Sequence, residues 1–250
     1  MQAPLAIIIL AAGKGKRMNS PTTSKVMAQL SGKPLIYYVL KTALELEPEL
    51  IAPIVGHCKE SVIDYINSLD IANVRIVEQK EQLGTGHAVA QTKEHLSGFQ
   101  GDALILSGDV PLLSTATLRK FIENHKSKQA DLSVLTTETQ APSGYGRIVR
   151  SADGSFLRIV EHKDATADEL SIKEINSGVY LVKSSLLYPA LSRLKSDNAQ
   201  KEYYLTDIIA DFHSNGKKVE AYLGAQFDEL QGVNSVEDLA RVQEYFDKTA

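Results

Sequence analysis

The chain has 250 residues, 43% hydrophobic, 23% charged and 6% aromatic, with 16 Gly and 8 Pro, which excludes disordered, collagen-like and linker-like chains and leaves ample length for a core. Lys and Arg number 27 against 31 Asp and Glu, a formal charge of −4 that gives a polyanion such as DNA no general attraction, so no nucleic-acid partner is expected. The single cysteine, Cys58, cannot form an internal disulfide and fits a reducing, cytoplasmic setting.

Residues 5–10 form a continuous apolar run rich in β-branched side chains. Basic residues follow this run (Lys14, Lys16, Arg17) instead of preceding it, and it is far shorter than the ~20 residues that span a bilayer. It reads as a strand of a parallel sheet covered on both faces, and no membrane partner is expected. A helix opens at Pro34 and carries Leu35, Tyr38, Val39, Thr42 and Leu46 at helical spacing. A strand over 51–55, a helix over 60–69, a strand over 74–77 and a helix over 84–96 follow. A second fully buried strand spans 103–107, then a helix over 114–126 capped by Ser114 and a strand over 132–136. Such alternation predicts a largely parallel sheet with right-handed crossovers.

Beyond about Pro142 the rhythm changes. Strands over 147–150 and 156–160 flank Asp153-Gly154, the signature of a hairpin with a tight primed turn. A strand over 178–182, helices over 184–194 and 203–214, a strand over 218–223 and a helix over 236–246 complete the chain. The expected class is α/β: a Rossmann-like, mostly parallel mixed sheet with helices on both faces. It forms one domain over 1–250, with a nucleotide-type lobe over about 1–141 and a lobe for a second substrate over about 142–250.

Ligands of open α/β sheets sit beyond the carboxyl ends of strands, so three loops carry the most weight. In the first, residues 11–18, small residues let backbone N–H groups approach phosphate oxygens while Lys14, Lys16 and Arg17 attract a triphosphate; the alternative is a solvated Gly/Lys turn. Met18 stands where a dinucleotide fingerprint needs glycine, which disfavours a Rossmann oxidoreductase. In the second, Asp109 after Ser107-Gly108 is suited either to ligate a Mg²⁺ bound mainly by phosphate and water or to cap the helix near Ser114. In the third, Gln79 and Gln82 precede a Gly-rich helix start, and an amide's paired donor and acceptor match the O4 and N3–H edge of uracil. The histidines at 57, 87, 95, 125, 162 and 213 show no zinc-ligand spacing.

The segments Leu10-Ala-Ala-Gly-Lys-Gly-Lys-Arg-Met18 with Lys25, Glu81-Gln-Leu-Gly-Thr-Gly-His-Ala88 and Gly108-Asp-Val-Pro111 occur in this order, followed by Gly144-Tyr-Gly-Arg-Ile148 and Val160-Glu-His-Lys-Asp-Ala165. Glu174-Ile-Asn-Ser-Gly178, Glu202-Tyr-Tyr-Leu-Thr-Asp207 and Gly232-Val-Asn234 complete the set. Together they resemble the sugar nucleotidyltransferase family, and within it the N-acetylglucosamine-1-phosphate uridylyltransferase domains. The first loop is common to the whole superfamily; the combination of the later segments is specific. The resemblance implies that Gln79, Gln82 and Gly84 read uracil, with Leu10, Ala12, Gly13 and Thr85 along the nucleotide. It assigns the triphosphate charge to Arg17 and Lys25, Mg²⁺ to Asp109 and Asn234, and the sugar to Gly146, Glu161 and Asn176 with Tyr145 nearby. The implied reaction takes UTP and N-acetylglucosamine 1-phosphate to UDP-N-acetylglucosamine and pyrophosphate.

The stretch from Arg17 to Lys25 runs one residue longer than the family pattern, and Ser107 replaces a common aromatic residue. The six-residue repeats of a left-handed β-helix are absent from the sequence, so one activity is expected. Rival readings are a nucleotidyltransferase for another sugar phosphate, an alditol phosphate or the molybdenum cofactor, and a non-catalytic UDP-sugar-binding module.

Overall fold

Successive residues of an extended strand face opposite sides of a sheet, and Ile7, Ile8 and Ile9, all fully buried, divide between two cores accordingly. The computed structural model, which describes residues 3–13, 15 and 23–249, places them in β1 (Leu5–Ala11). Ala6 and Ile8 join the core on one face, and Ile7, Ile9 and Ala11 the core on the other. Burial contributes about 1.5–3 kcal/mol for each such isoleucine, which favours a strand covered on both sides.

In chain order the remaining elements are β2 (Gln29–Leu30), β3 (Lys33–Pro34), α1 (Leu35–Leu44), β4 (Leu50–Val55), α2 (Lys59–Ser68), β5 (Val77–Glu78), α3 (Thr85–Ala90), β6 (Asp102–Ser107) and α4 (Thr115–Lys128). They continue with β7 (Leu132–Glu138), β8 (Arg147–Arg150), β9 (Phe156–Val160), α5 (Ala167–Leu170), β10 (Glu174–Lys183), α6 (Ser184–Leu191), α7 (Ile208–Ser214), β11 (Val219–Leu223) and α8 (Val236–Thr249). The strand order is β11-β7-β10-β6-β1-β4-β5, and β8 and β9 attach to β10 as a hairpin. Along that path neighbouring strands are parallel except at β10, which lies antiparallel between β6 and β7. Helices α1, α2 and α4 cover one face and α3, α6 and α7 the other, as the mixed α/β reading predicts.

Several boundaries differ from the sequence expectations for local reasons. Pro34 caps α1 instead of beginning it. Residues 74–77 meet β4 through one bridge, Val74 to Ile51, before the ladder forms at β5. Helix α3 ends at Ala90 because the N–H groups of Gln91, Thr92 and Lys93 bond three residues back, and the Thr92 hydroxyl donates to the Val89 carbonyl at 2.7 Å. Helices α6 and α7 are shorter than expected. Asp153-Gly154 makes no two-residue primed turn. Residues 151–155 form a wider loop in which Gly154 alone has positive φ (+85°), while the Asp153 carboxylate accepts from the Ser155 N–H at 3.1 Å. Strand β10 begins at Glu174, four residues early, and its ladder to β7 breaks between Asn176 and Tyr180.

A third cluster sets the geometry of the site. Val233 and Val242 pack with Leu30 and Leu35, and the rings of Phe246 and Tyr38 meet edge to face at 5.4 Å. Helix α8 thereby returns to the N-terminal part of the chain and brings the residues just before it to the end of β6. Among the described residues no helix is long and apolar enough to cross a membrane.

Candidate functional site

The ends of β1 and β6 and the segment between β5 and α3 frame a cavity of about 580 Å³. Leu10, Ala12, Gly13, Lys25, Gln79, Gln82, Gly84, Thr85, Asp109 and Asn234 all line it. Gly15, from the loop that the sequence assigned to phosphate, lines it as well, as do Ser107, Gln200 and Glu202, to which sequence reasoning gave no individual contact there. Arg17 lies outside the described residues.

Lys25 opens a single 3₁₀ turn, Lys25–Met27. Its ammonium donates to the Asp109 carboxylate and, at 2.9 Å, to Asn234 Oδ1. The two acceptors come together because the Val233 N–H donates to the Asp109 carbonyl at 2.9 Å, while the Asn234 N–H donates to the Asp238 carboxylate at 3.0 Å. Ser114, not Asp109, caps α4: its hydroxyl accepts from the Thr117 N–H at 3.2 Å, and Glu229 accepts from both hydroxyls. Among the described residues no three His, Cys, Asp or Glu side chains cluster to hold a metal. Asp109 and Asn234 instead offer two hard oxygens that converge on one cation. This donor set fits an ion such as Mg²⁺, which keeps several waters and takes phosphate oxygens as its other ligands.

Gln79 is buried, and its Nε2 donates to the Gly84 carbonyl at 3.1 Å and faces His87 Nδ1 at 3.0 Å. A carbonyl can only accept, so this contact fixes which end of the amide is nitrogen and leaves the amide oxygen for a ligand's N–H. Gln82 Nε2 donates to the Gln79 carbonyl at 3.0 Å. Gly84 has φ +114°, and a Cβ there would lie 2.5 Å from the Tyr203 carbonyl oxygen, so no other residue fits. Backbone bonds from Tyr203 to Leu83 and from Gly86 to Tyr203, both 2.8 Å, clamp this turn to the 202–207 segment. His87 was not singled out from the sequence; its position eight residues after Gln79 becomes meaningful only once α3 starts at Thr85.

The four sugar candidates lie outside that cavity's lining. Glu161 lines a separate cavity of about 290 Å³ with Tyr204, Thr206 and Asp207, residues of the same 202–207 segment whose Glu202 lines the first. Burial pushes the Glu161 carboxyl up from its ordinary value; the Thr206 hydroxyl, donating at 3.4 Å, opposes this, and the neighbouring Asp207 and Asp164 charges add to it. Gly146 and Asn176 sit side by side, with the Asn176 N–H donating to the Gly146 carbonyl at 2.9 Å. The Asn176 side chain donates to the Tyr180 hydroxyl at 2.8 Å and accepts from the Gly178 N–H at 2.9 Å. Tyr145 stacks edge to face on Phe227 at 5.9 Å, and burial, with Asp238 and Asp109, raises its phenol.

A family profile described as nucleotidyl transferase matches residues 6–247. The bifunctional protein GlmU of Geotalea uraniireducens (strain Rf4) is 48% identical over 236 residues, which cover 94% of this chain and 51% of that protein. The protein of the same name from Geobacter sulfurreducens is 46% identical over 94% of this chain and 49% of its own length, and that of Enterococcus faecalis 44% identical over 91% and 48%. The chain thus spans about half the length of the curated relatives it matches. A crystal structure of UDP-glucose pyrophosphorylase complexed with UDP-glucose superposes with a TM-score of 0.79 over 99% of this chain and 100% of that one. At 21% identity the likeness is one of fold.

Proposed function

The chain belongs to the nucleotidyl transferase family, and we propose that it converts UTP and N-acetyl-α-D-glucosamine 1-phosphate to UDP-N-acetylglucosamine and pyrophosphate. The observation that carries this reading is the convergence of Lys25, Asp109 and Asn234 on one point of a cavity that Gln79 and Gln82 also line. A sugar phosphate oxygen attacks the α-phosphorus in line and displaces pyrophosphate. The nucleophile is already anionic and needs no general base, so catalysis rests on positioning and charge neutralisation.

Gln79, Gln82 and Gly84 read the uracil, and Leu10, Ala12, Gly13 and Thr85 run along the nucleotide. Lys25 and Arg17 meet the triphosphate charge, and Asp109 and Asn234 hold Mg²⁺. When bound, that ion supplies positive charge to the reacting phosphates. Gly146, Glu161 and Asn176, with Tyr145, orient the sugar in the lobe over about 142–250, opposite the nucleotide lobe over about 1–141. The relatives' 44–48% identity across both lobes supports this assignment over a purely nucleotide-binding role. The single Cys58 suits a cytoplasmic setting. Pyrophosphate release, measured with Mg²⁺, each of the four ribonucleoside triphosphates and a panel of sugar 1-phosphates, tests the proposal. The fastest turnover is expected for UTP with N-acetylglucosamine 1-phosphate, and no turnover with that pair rejects it.

A further inference from the structure

Arg147 heads the largest fully buried side chains among the described residues, at 1% exposure. Arg150, Arg158, Arg193 and Arg241 each meet a carboxylate, whereas Arg147 meets none among the described residues. Its guanidinium donates from Nη1 to the Tyr145 carbonyl and from Nη2, at 3.5 Å, to the Leu170 carbonyl at the end of α5; Nε has no partner. Burial lowers its pKa, with no neighbouring carboxylate to restore it. A buried cation held by two carbonyls is a cost to the fold that an apolar side chain of similar volume avoids. Stability therefore does not account for a guanidinium at this position.

Its surroundings do. Arg147 pairs across the sheet with Val160 and Ile175, so the residues next to these three positions are Gly146, Glu161 and Asn176. Its side chain grips the carbonyl of Tyr145, in the turn where Tyr145 meets Phe227 and the Gly146 carbonyl accepts from Asn176. The contacts that hold Gln79, Gln82 and Gly84 run to Val55, His87 and Tyr203, and none involves this turn.

We infer that Arg147 is a positioning residue for the sugar phosphate, one that fixes the 144–146 turn by the Tyr145 carbonyl, touches no substrate and lowers the stability of the fold. The inference rests on the proposed reaction. The test compares wild type with Arg147→Met and Arg147→Lys by thermal melting, by UTP affinity in calorimetry, and by KM for N-acetylglucosamine 1-phosphate at saturating UTP. Arg147→Met is expected to melt at or above the wild-type temperature, to bind UTP within about twofold of wild type, and to raise the sugar phosphate KM about tenfold, the value of one hydrogen bond. Arg147→Lys keeps the charge without the two-pronged donor and gives a smaller rise. A folded Arg147→Met with wild-type sugar KM overturns the inference, as does a sugar KM that rises only in step with loss of UTP affinity. If Arg147→Met does not fold, the stability cost is refuted, and an unchanged sugar KM in Arg147→Lys refutes the positioning role. A wild type that makes no UDP-sugar overturns the underlying reaction instead, a result distinct from an active wild type with an indifferent Arg147.

Discussion

Lys25 and Asp109, 84 residues apart, form an ion pair at the end of β6, and the same ammonium reaches Asn234 at 2.9 Å, 209 residues along the chain. One cation of the protein thus stands where two oxygens converge that suit a divalent ion. A divalent ion and the ammonium cannot share that point, because like charges at such range repel by about 4 kcal/mol per unit pair at a near-surface dielectric. On the proposed reaction, a Mg²⁺ held by Asp109 and Asn234 would leave the Lys25 ammonium to meet the triphosphate charge.

Lys25→Met should therefore bind Mn²⁺ alone at least about tenfold more tightly than wild type while losing most of its turnover. Electron paramagnetic resonance of free Mn²⁺ reads the affinity directly. An unchanged Mn²⁺ affinity would show that the ion pair does not occupy the divalent site.

Asp109→Asn should lower kcat by on the order of 10²–10³ while UTP affinity changes only a few-fold, because the cation that Asp109 would hold neutralises charge that develops mainly in the transition state. Wild-type turnover in excess chelator, with no divalent ion present, would contradict this role.

Base choice follows from the orientation of Gln79. In the proposed site its amide oxygen would accept from uracil N3–H, whereas cytosine presents a lone pair at N3, so CTP should be worse than UTP by about 1 to 3 kcal/mol in kcat/KM. His87→Ala removes one of the two partners of Gln79 Nε2, and because the Gly84 carbonyl still holds that nitrogen the preference should narrow only slightly, with little effect on melting temperature. Equal kcat/KM for UTP and CTP in wild type would mean that these amides do not read the base.

If Glu161 holds the sugar as proposed, it should couple sugar binding to pH. Burial raises its folded pKa, so any stability from its protonation is present below the unfolded value, about 4.3, and is lost as pH rises through the higher folded value. Glu161→Gln should thus melt higher than wild type near pH 7, with the difference closing in acid. The same variant should raise the sugar phosphate KM about 10- to 100-fold at neutral pH and remove the acid limb that sets in above the usual carboxylate range. Titration of the substrate's own phosphate is common to both proteins and cancels in the comparison. A wild-type acid limb that survives in Glu161→Gln assigns it to another group.

The strands that carry the nucleotide loops were legible because β1 and β6 are unbroken apolar runs, and Ser114 announced α4 through a cap that the structure retains. The first half of β10 was not, since Glu174, Asn176 and Ser177 interrupt the apolar pattern and Gly178 sits at a register break that depends on pairing with β7. Local spacing gave no sign that Lys25, Asp109 and Asn234 meet; the family resemblance paired Asp109 with Asn234 and set Lys25 on the triphosphate, and the contact of all three is tertiary. Arg147 was legible only as part of a hairpin strand and of the 144–148 segment, because its burial beside α5 and the 144–146 turn is a tertiary event.

The proposed reaction stands on direct uridylyl transfer to the sugar phosphate. Incubating the protein with Mg²⁺, UTP and N-acetylglucosamine 1-phosphate labelled with ¹⁸O at its non-bridging phosphate oxygens, then weighing the products by mass spectrometry, tests it most directly. Direct transfer should give UDP-N-acetylglucosamine that keeps every labelled oxygen, one now bridging the two phosphorus atoms, together with unlabelled pyrophosphate. Absence of the UDP-sugar, or label appearing in pyrophosphate, would contradict it.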